Sequence, residues 1–239
     1  MIVLGIIDVR QIEPERVGDV SQNQLFLRAK AAQNTDEVRQ KLGAYYLLSY
    51  LVREHMGADL LPEIYYTSFG KPYFKDSSEL RFNISHDRCF AAVILSDGEC
   101  EVGVDIQSMP DRKIRLERIR ERFFAPLDYL SGKNDKNTKK INTHPVLPEF
   151  FSVKQTADGY AAEKMRDMTD IEIISGDDTA ELEFLTKWTL LEATVKAMGE
   201  GMSAYRDSEK LDTDSYITAF KHNGNTFLLS AVAIKSESK

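Results

Sequence analysis

The sequence predicts an α+β protein, and three observations predict it. Apolar runs of strand length recur along the chain, two longer segments carry apolar residues at helical spacing, and the helix-and-strand succession of the first half is partly echoed in the second. The echo suggests two related subdomains, and no short-period repeat marks a solenoid. With 239 residues, 42% hydrophobic and 29% charged, the chain is long enough for one large or two small packed domains.

Met1-Ile2-Val3-Leu4-Gly5-Ile6-Ile7 reads as a buried first strand that Asp8 ends, far short of the roughly 20 apolar residues a spanning helix needs. It carries no basic leader, so a soluble chain with no membrane partner is expected. Past Pro14, Leu25 to Ala32 reads as a short helix of good helix formers. Asn34-Thr35-Asp36-Glu37 offers N-cap candidates and an acidic first turn, after which Leu42, Tyr45, Tyr46, Leu48, Leu51 and Val52 follow helical spacing as far as Gly57. Ile64 to Thr67 reads as a strand running into the turn Gly70-Lys71-Pro72, and Arg81 to Ile84 as another strand. Cys89 to Leu95 and Glu101 to Ile106 read as an antiparallel pair turned at Ser96-Asp97-Gly98.

In the second half a charged helix is expected from Arg112 to Phe124, stopping near Pro126, and then an exposed loop from Ser131 to Thr143. Phe150 to Met168 is read as helical, and Ile171 to Ile174 as a short strand before Gly176-Asp177-Asp178. Phe184 to Met198 forms a strong helix with Gly199 and Gly201 as stops, and Thr226 to Leu229 and Ala231 to Ile234 read as closing strands. The subdomains expected are residues 1–103 and 104–239, with a long variable segment at about 131–183.

Composition removes several classes of function. A net charge of -7 argues against a general nucleic-acid binder, whose affinity comes from a basic surface. Cys89 and Cys100 have no CxxC or His/Cys ligand spacing, so neither a disulfide framework nor a zinc site is expected, and a reducing, cytoplasmic setting fits. His55, His144 and His222 lack ligand spacing as well. The residues before Lys71 do not form GxxxxGK, and Ser85 stands in no GxSxG elbow, which sets aside a P-loop nucleotidase and a serine hydrolase.

What remains is a candidate magnesium and phosphate site. Asp105 and Gln107 share one face of a strand while Val104 and Ile106 take the other. Magnesium takes one or two carboxylates along with water and substrate phosphates, so Asp105 with one more acid suffices, and Gln107 adds only a neutral oxygen. The plain alternative is an Asp that ends a strand before a turn. On the late helix, Trp188, Leu191, Val195 and Met198 make one apolar stripe with Glu192 and Lys196 together beside it. That pair is either a solvated ion pair worth about 0.2–0.5 kcal/mol or a metal-binding or proton-accepting carboxylate next to a phosphate clamp. Ser85-His86 can offer a hydroxyl and an imidazole to phosphate, or simply form a turn. Gly70-Lys71-Pro72 is either a corner that holds an adenine edge and a phosphate or an ordinary turn, and Arg39 either adds charge to an anion site or lies on a solvated helix face.

Taken in order, Gly70-Lys71-Pro72, Phe82-Asn83-Ile84-Ser85-His86, Gly103-Val104-Asp105-Ile106, Arg122-Phe123-Phe124 and Trp188 through Gly201 resemble the surfactin-synthetase-activating type of 4′-phosphopantetheinyl transferase. The resemblance runs from Arg39-Gln40-Lys41-Leu42-Gly43 to the end, with residues 131–183 aligning poorly. It implies a monomer of two similar subdomains related by a pseudo-twofold axis, each with a helix packed on a small sheet, and an active site at their junction that encloses coenzyme A. It implies that Asp105 and Glu192, with Gln107 beside them, hold Mg2+ against the coenzyme A diphosphate while Lys196 grips phosphate. Arg39, Lys71, Ser85 and His86 would secure the adenosine 3′-phosphate end, with the corner from Phe69 to Pro72 facing adenine, so that Pro72 also binds the cofactor, and Arg28 and Lys30 assisting. The implied reaction is attack by a serine hydroxyl of an apo acyl or peptidyl carrier protein on the β-phosphate, with 3′,5′-ADP leaving and Glu192, or a water it orients, taking the proton.

Three positions depart from the family pattern: Gln107 stands where Glu is frequent, Leu191 where Lys is usual, and Asp87 where a small hydroxyl residue follows Ser-His. These departures motivate a second expectation, a non-catalytic homologue that binds coenzyme A or a carrier protein. A third is an unrelated magnesium-dependent phosphohydrolase that releases phosphate without a protein acceptor.

Overall fold

The computed structural model describes residues 1–19, 21–75, 77, 79–109, 142–144, 148–157, 159–174, 180–202, 211 and 213–235. The apolar first run is strand β1 (Ile2–Asp8), followed by a 3-10 turn at Pro14–Arg16. Asn23 caps helix α1 (Gln24–Lys30) and Asn34 caps the long helix α2 (Thr35–Met56), each side chain accepting first-turn N–H groups that have no partner inside the helix. Gly57, at φ 65°, ends α2. Strands β2 (Ile64–Tyr66) and β3 (Pro72–Phe74) pair around the Gly70-Lys71 corner, and β4 (Arg81–Asp87), β5 (Phe90–Ser96) and β6 (Cys100–Ser108) follow. The later elements are β7 (Asn142–His144), β8 (Glu149–Thr156), β9 (Gly159–Lys164), β10 (Ile171–Ile174), α3 (Ala180–Met198), β11 (Thr213–His222) and β12 (Asn225–Lys235).

Alternation along the strands builds four layers. In β5, Ala91, Val93 and Leu95 face α2, whereas Phe90, Ala92 and Ile94 face a second sheet. The first sheet runs β4-β5-β1-β8-β9, and the second runs β10-β11-β12-β6 with β7 parallel to β11. One core lies between α2 and the first sheet, built from Leu42, Leu47, Leu48, Leu51, Phe82 and Phe151 among others. A second lies between the sheets, where Leu4 and Ile6 meet Val102, Val104, Ile106 and the Phe90, Phe220 and Phe227 rings. A third, with Leu182, Leu185 and Leu228, lies between α3 and the second sheet. The α+β class stands, with α2 on one sheet and α3 on the other.

Two sequence expectations are corrected. β5 and β6 do not form a hairpin, because both edges of β5 are already occupied by β1 and β4, and β6 pairs instead with β12. Ser96 to Gly98 therefore begins a crossing between layers. Phe150 to Met168 is not helical but holds the β8–β9 hairpin. Phe150 points into the core between the sheets while Phe151 and Val153 point toward α2, a two-sided burial that hides the strand period in the sequence. β8 lies parallel to β1, so this hairpin returns to the first sheet. The expected helix at Arg112–Phe124 with its Arg122-Phe123-Phe124 motif, and Gly176-Asp177-Asp178, lie outside the described residues. So does the expected loop up to residue 141, whereas residues 142–144 are strand. Among the described residues no helix is long and apolar enough to cross a membrane.

Each major helix comes down on its sheet at a glycine. On α2, a Cβ at Gly43 would lie 2.3 Å from Val9 Cγ1, and on β6 a Cβ at Gly103 would lie 2.0 Å from the Ala193 carbonyl oxygen of α3. The obstruction at Gly103 is helix backbone and cannot rotate away. Gly103→Ala is expected to lower stability by about 1–3 kcal/mol through overpacking, read as a drop in the urea unfolding midpoint; an unchanged midpoint would show that α3 does not lie so close.

Candidate active site

The approach of α3 permitted by Gly103 decides which helical residues reach β6. Thr189, Ala193 and Ala197 are each 0% exposed, so this i, i+4 row of small residues is the buried face. Thr189 Oγ1 and Ser230 Oγ, 2.7 Å apart, pin the row to β12. The stripe expected from Trp188, Leu191, Val195 and Met198 is corrected: Val195 is buried, but Trp188, Leu191 and Met198 are only half-buried. Glu192 and Lys196 precede Ala193 and Ala197 by one residue, so they flank the contact with β6. Strand alternation turns Glu101, Gly103, Asp105 and Gln107 of β6 away from the core between the sheets.

The second contribution comes from β4, at the edge of the other sheet. Asn83, Ser85 and Asp87 turn toward β6 and accept the backbone N–H groups of Val104, Ile106 and Ser108. Asp87, a departure from the family pattern, thus makes one of these backbone bonds. Ser85 Oγ also donates to Asp105 Oδ1 at 2.9 Å. Lys196 Nζ, from α3, donates to the same Oδ1 at 2.6 Å, to Ser85 Oγ at 3.1 Å and to the Val104 carbonyl at 3.2 Å. Residues from both sheets and from α3 therefore meet at one carboxylate.

Asp105 is 1% exposed, and its buried Oδ2 takes no hydrogen bond from an N–H or hydroxyl group, while the neighbouring Glu192 carboxyl, when protonated, hydrogen-bonds to Asp105. Glu192 is close enough to Asp105 for the two acids to interact. Burial, and then the Asp105 charge, push the Glu192 carboxyl up to about 7, while Lys196 opposes the shift. His86, on the opposite face of β4 from Ser85, has its imidazole held below the ordinary value of 6.5, by burial first and then by Lys196 and Lys41. Among the described residues no group of three or more His, Cys, Asp or Glu side chains could hold a metal. The pair Asp105 and Glu192 matches the smaller carboxylate count that magnesium uses.

Other expected site residues lie elsewhere. Lys71 Nζ is ion-paired with Glu101 Oε2 at 2.6 Å and donates to the Ala197 carbonyl, so it caps the C-terminal end of α3. Pro72 opens β3 and is half-buried, and Phe69 in the same corner is 65% exposed. Arg39 Nε donates to the Ile12 carbonyl at 2.9 Å, and Arg39 also pairs with Asp36 at 3.1 Å. The cation that α2 turns toward His86 is Lys41, which is paired with Glu37 at 2.6 Å. The sequence reading missed Lys41 although it lies two residues from Arg39; helical spacing on from Glu37 is the signal that finds it. Arg28 stacks its guanidinium 3.6 Å over the Tyr66 ring, and Lys30 donates to the Val17 carbonyl. Gln107 stands on the α3-facing side of β6, two residues beyond Asp105.

No family model matches the chain. Over 133 residues, however, the chain is 30% identical to a Nostoc protein named 4′-phosphopantetheinyl transferase HetI, an alignment that takes in 53% of each chain. The similarity is to a phosphopantetheinyl transferase. It agrees with the family that the motifs resemble without singling out the surfactin-synthetase-activating type. The chain spans about half the length of this relative.

The two acids make a specific electrostatic prediction. Asp105→Asn removes the charge that helps raise Glu192, so the Glu192 pKa should fall from about 7 yet remain above 4.5, since burial is the larger cause. A carbon-13 NMR titration of the Glu192 carboxyl reads the change. An unaltered titration midpoint would mean that the two carboxylates are independent.

Proposed function

We propose that the protein transfers 4′-phosphopantetheine from coenzyme A to a serine of an apo acyl or peptidyl carrier protein, with Mg2+ as cofactor. The observation that carries this reading is the meeting of Asp105, Glu192 and Lys196 at one point, where no N–H or hydroxyl group donates to the buried Asp105 Oδ2 and only the second acid faces Asp105 there. An orphaned buried carboxylate oxygen beside a second acid fits a divalent cation. Asp105 and Glu192 would hold the ion, with Gln107 near enough in sequence to add a neutral oxygen. When bound, the ion supplies neutralisation of the diphosphate charge.

The chain's own residues account for the rest of the chemistry. Lys196, whose three N–H groups are engaged by Asp105, Ser85 and the Val104 carbonyl, sets its positive charge beside the place where negative charge grows on the leaving group. Glu192, or a water it orients, takes the proton of the attacking serine hydroxyl. The serine oxygen bonds to the β-phosphorus, the bond from that phosphorus to the bridging oxygen breaks, and 3′,5′-ADP leaves with the electron pair. His86 and Lys41 form the polar group on the α2 side that suits the 3′-phosphate. Lys71 supports that region by holding the end of α3, and Phe69 offers an exposed ring to adenine.

Incubation of the protein with Mg2+, coenzyme A and a panel of apo carriers tests the reading, with intact-carrier mass as the readout. The wild-type protein should add one phosphopantetheine mass to a carrier, Asp105→Ala and Glu192→Ala should abolish the addition, and Gln107→Glu should preserve or raise it. Loading at the wild-type rate by either alanine variant contradicts the ligand assignment. Binding of coenzyme A with no loading favours a binding homologue, and release of phosphate without an acceptor favours a phosphohydrolase.

The raised Glu192 pKa also sets a pH dependence. Folding stability from this group is fully present below its unfolded value near 4.5 and is lost as pH rises toward about 7, because the folded site resists the charge. A cation reverses that penalty by binding the deprotonated pair. The rise in melting temperature caused by Mg2+ should therefore be larger at pH 8 than at pH 6. An equal rise at both values counts against Glu192 as a ligand.

A further inference from the structure

We infer that Ser85 is a positioning residue whose hydroxyl fixes the Asp105 carboxylate and the Lys196 ammonium against the edge of β6, and that it does not bind phosphate itself. The inference rests on the transferase reading for the chemistry that Asp105 serves. A serine hydroxyl has one proton to donate and two lone pairs with which to accept. Ser85 Oγ donates to Asp105 Oδ1 at 2.9 Å, and it accepts from the Ile106 N–H at 3.3 Å and from Lys196 Nζ at 3.1 Å. Its full capacity is engaged, and the residue is only 6% exposed.

A phosphate oxygen only accepts, so it would have to take the one Ser85 proton from Asp105. The neighbouring His86 lies on the other face of β4, half-buried and beside Lys41, and is the side chain of the Ser-His pair with polar capacity to offer an anion. The Ser85 bond also defines which oxygen of Asp105 is committed. Oδ1 receives both the hydroxyl and the ammonium, which leaves Oδ2 as the oxygen without an N–H or hydroxyl donor. Groups that hold a ligating carboxylate in this way fix its orientation, and their removal weakens metal binding by about 10–100-fold.

Asn83 supplies the control, since it accepts the Val104 N–H from the same face of β4 without touching Asp105. The variants are Ser85→Ala, Ser85→Thr and Asn83→Ala. The measurements are half-saturating Mg2+ in carrier loading, the preference for coenzyme A over 3′-dephospho-coenzyme A, and the Mg2+-induced rise in melting temperature without coenzyme A. Ser85→Ala should raise half-saturating Mg2+ at least about tenfold, shrink the melting shift and leave the 3′-phosphate preference unchanged. Ser85→Thr, which keeps the hydroxyl, should restore the Mg2+ requirement, and Asn83→Ala should lower the melting temperature without altering that requirement.

Loss of the 3′-phosphate preference in Ser85→Ala with an unchanged Mg2+ requirement overturns the inference, because Ser85 would then be a phosphate ligand. An equal rise in Mg2+ requirement in Asn83→Ala also overturns it, since the effect would belong to the whole seam between the sheets. If the wild-type protein loads no carrier, the transferase reading fails by itself and the melting shift decides the role of Ser85. A smaller shift in Ser85→Ala than in wild type supports positioning. Equal shifts, or no shift in the wild type, refute it.

Discussion

The seam between the two sheets is held by side chains, and the candidate site depends on it. β6 ends its sheet, and an edge strand presents backbone N–H groups that must find acceptors when they are buried. Here the acceptors are Asn83, Ser85 and Asp87, spaced two apart on β4 to match Val104, Ile106 and Ser108 two apart on β6. The sheets stay separate in their backbone pairing, yet β4 and β6 are locked in register. A slip of one residue would turn the acceptors into the apolar core beneath α2 and remove Ser85 from Asp105.

The seam also explains how an acid can be buried at the site. A buried carboxylate is tolerated when it is paired and hydrogen-bonded, and Asp105 meets that condition through Lys196 and Ser85 on one oxygen only. Glu192 adds a second acid to the same small volume, and its proton affinity is raised first by burial and then by the Asp105 charge. The resulting group gains stability from a proton at low pH or from a cation at higher pH. The same imbalance suits it to chemistry in which phosphate charge arrives and redistributes.

The layers supply the rigidity behind this arrangement. β6 packs Val102, Val104 and Ile106 into the core between the sheets, so Asp105 is carried on a strand whose reverse face cannot move freely. α3 is pinned by Thr189 to Ser230, by its small-residue row over Gly103, and at its C-terminal end by Lys71. Lys71 is thus tied to Glu101, which also binds Arg81 of β4 at 2.8 Å, and the charge cluster joins the helix end to both strands of the seam.

Local rules made a large part of this protein legible. Asn34 and Gly57 bound α2 because capping is a matter of neighbouring backbone groups, and the shared face of Asp105 and Gln107 follows from strand pleating alone. The pairing of β6 with β12 did not follow, because strand partners are chosen by which edges remain open after β1 and β4 have claimed β5. Nor did the strand character of Phe150 to Val153, whose apolar residues serve two cores at once. Helical spacing identified Glu192 and Lys196 as neighbours, but the depth of α3 over Gly103 decided that Ala193 and Ala197, rather than Leu191, face the sheet. The sequence by itself determined the α+β class, the two long helices, the caps of α2 and the chemical inventory of the site, since these depend on residues a few positions apart. Only the tertiary structure decided that Ser85 is committed to Asp105, that Lys71 caps a helix and that Lys41 rather than Arg39 faces His86, because each choice depends on packing between segments far apart in the chain.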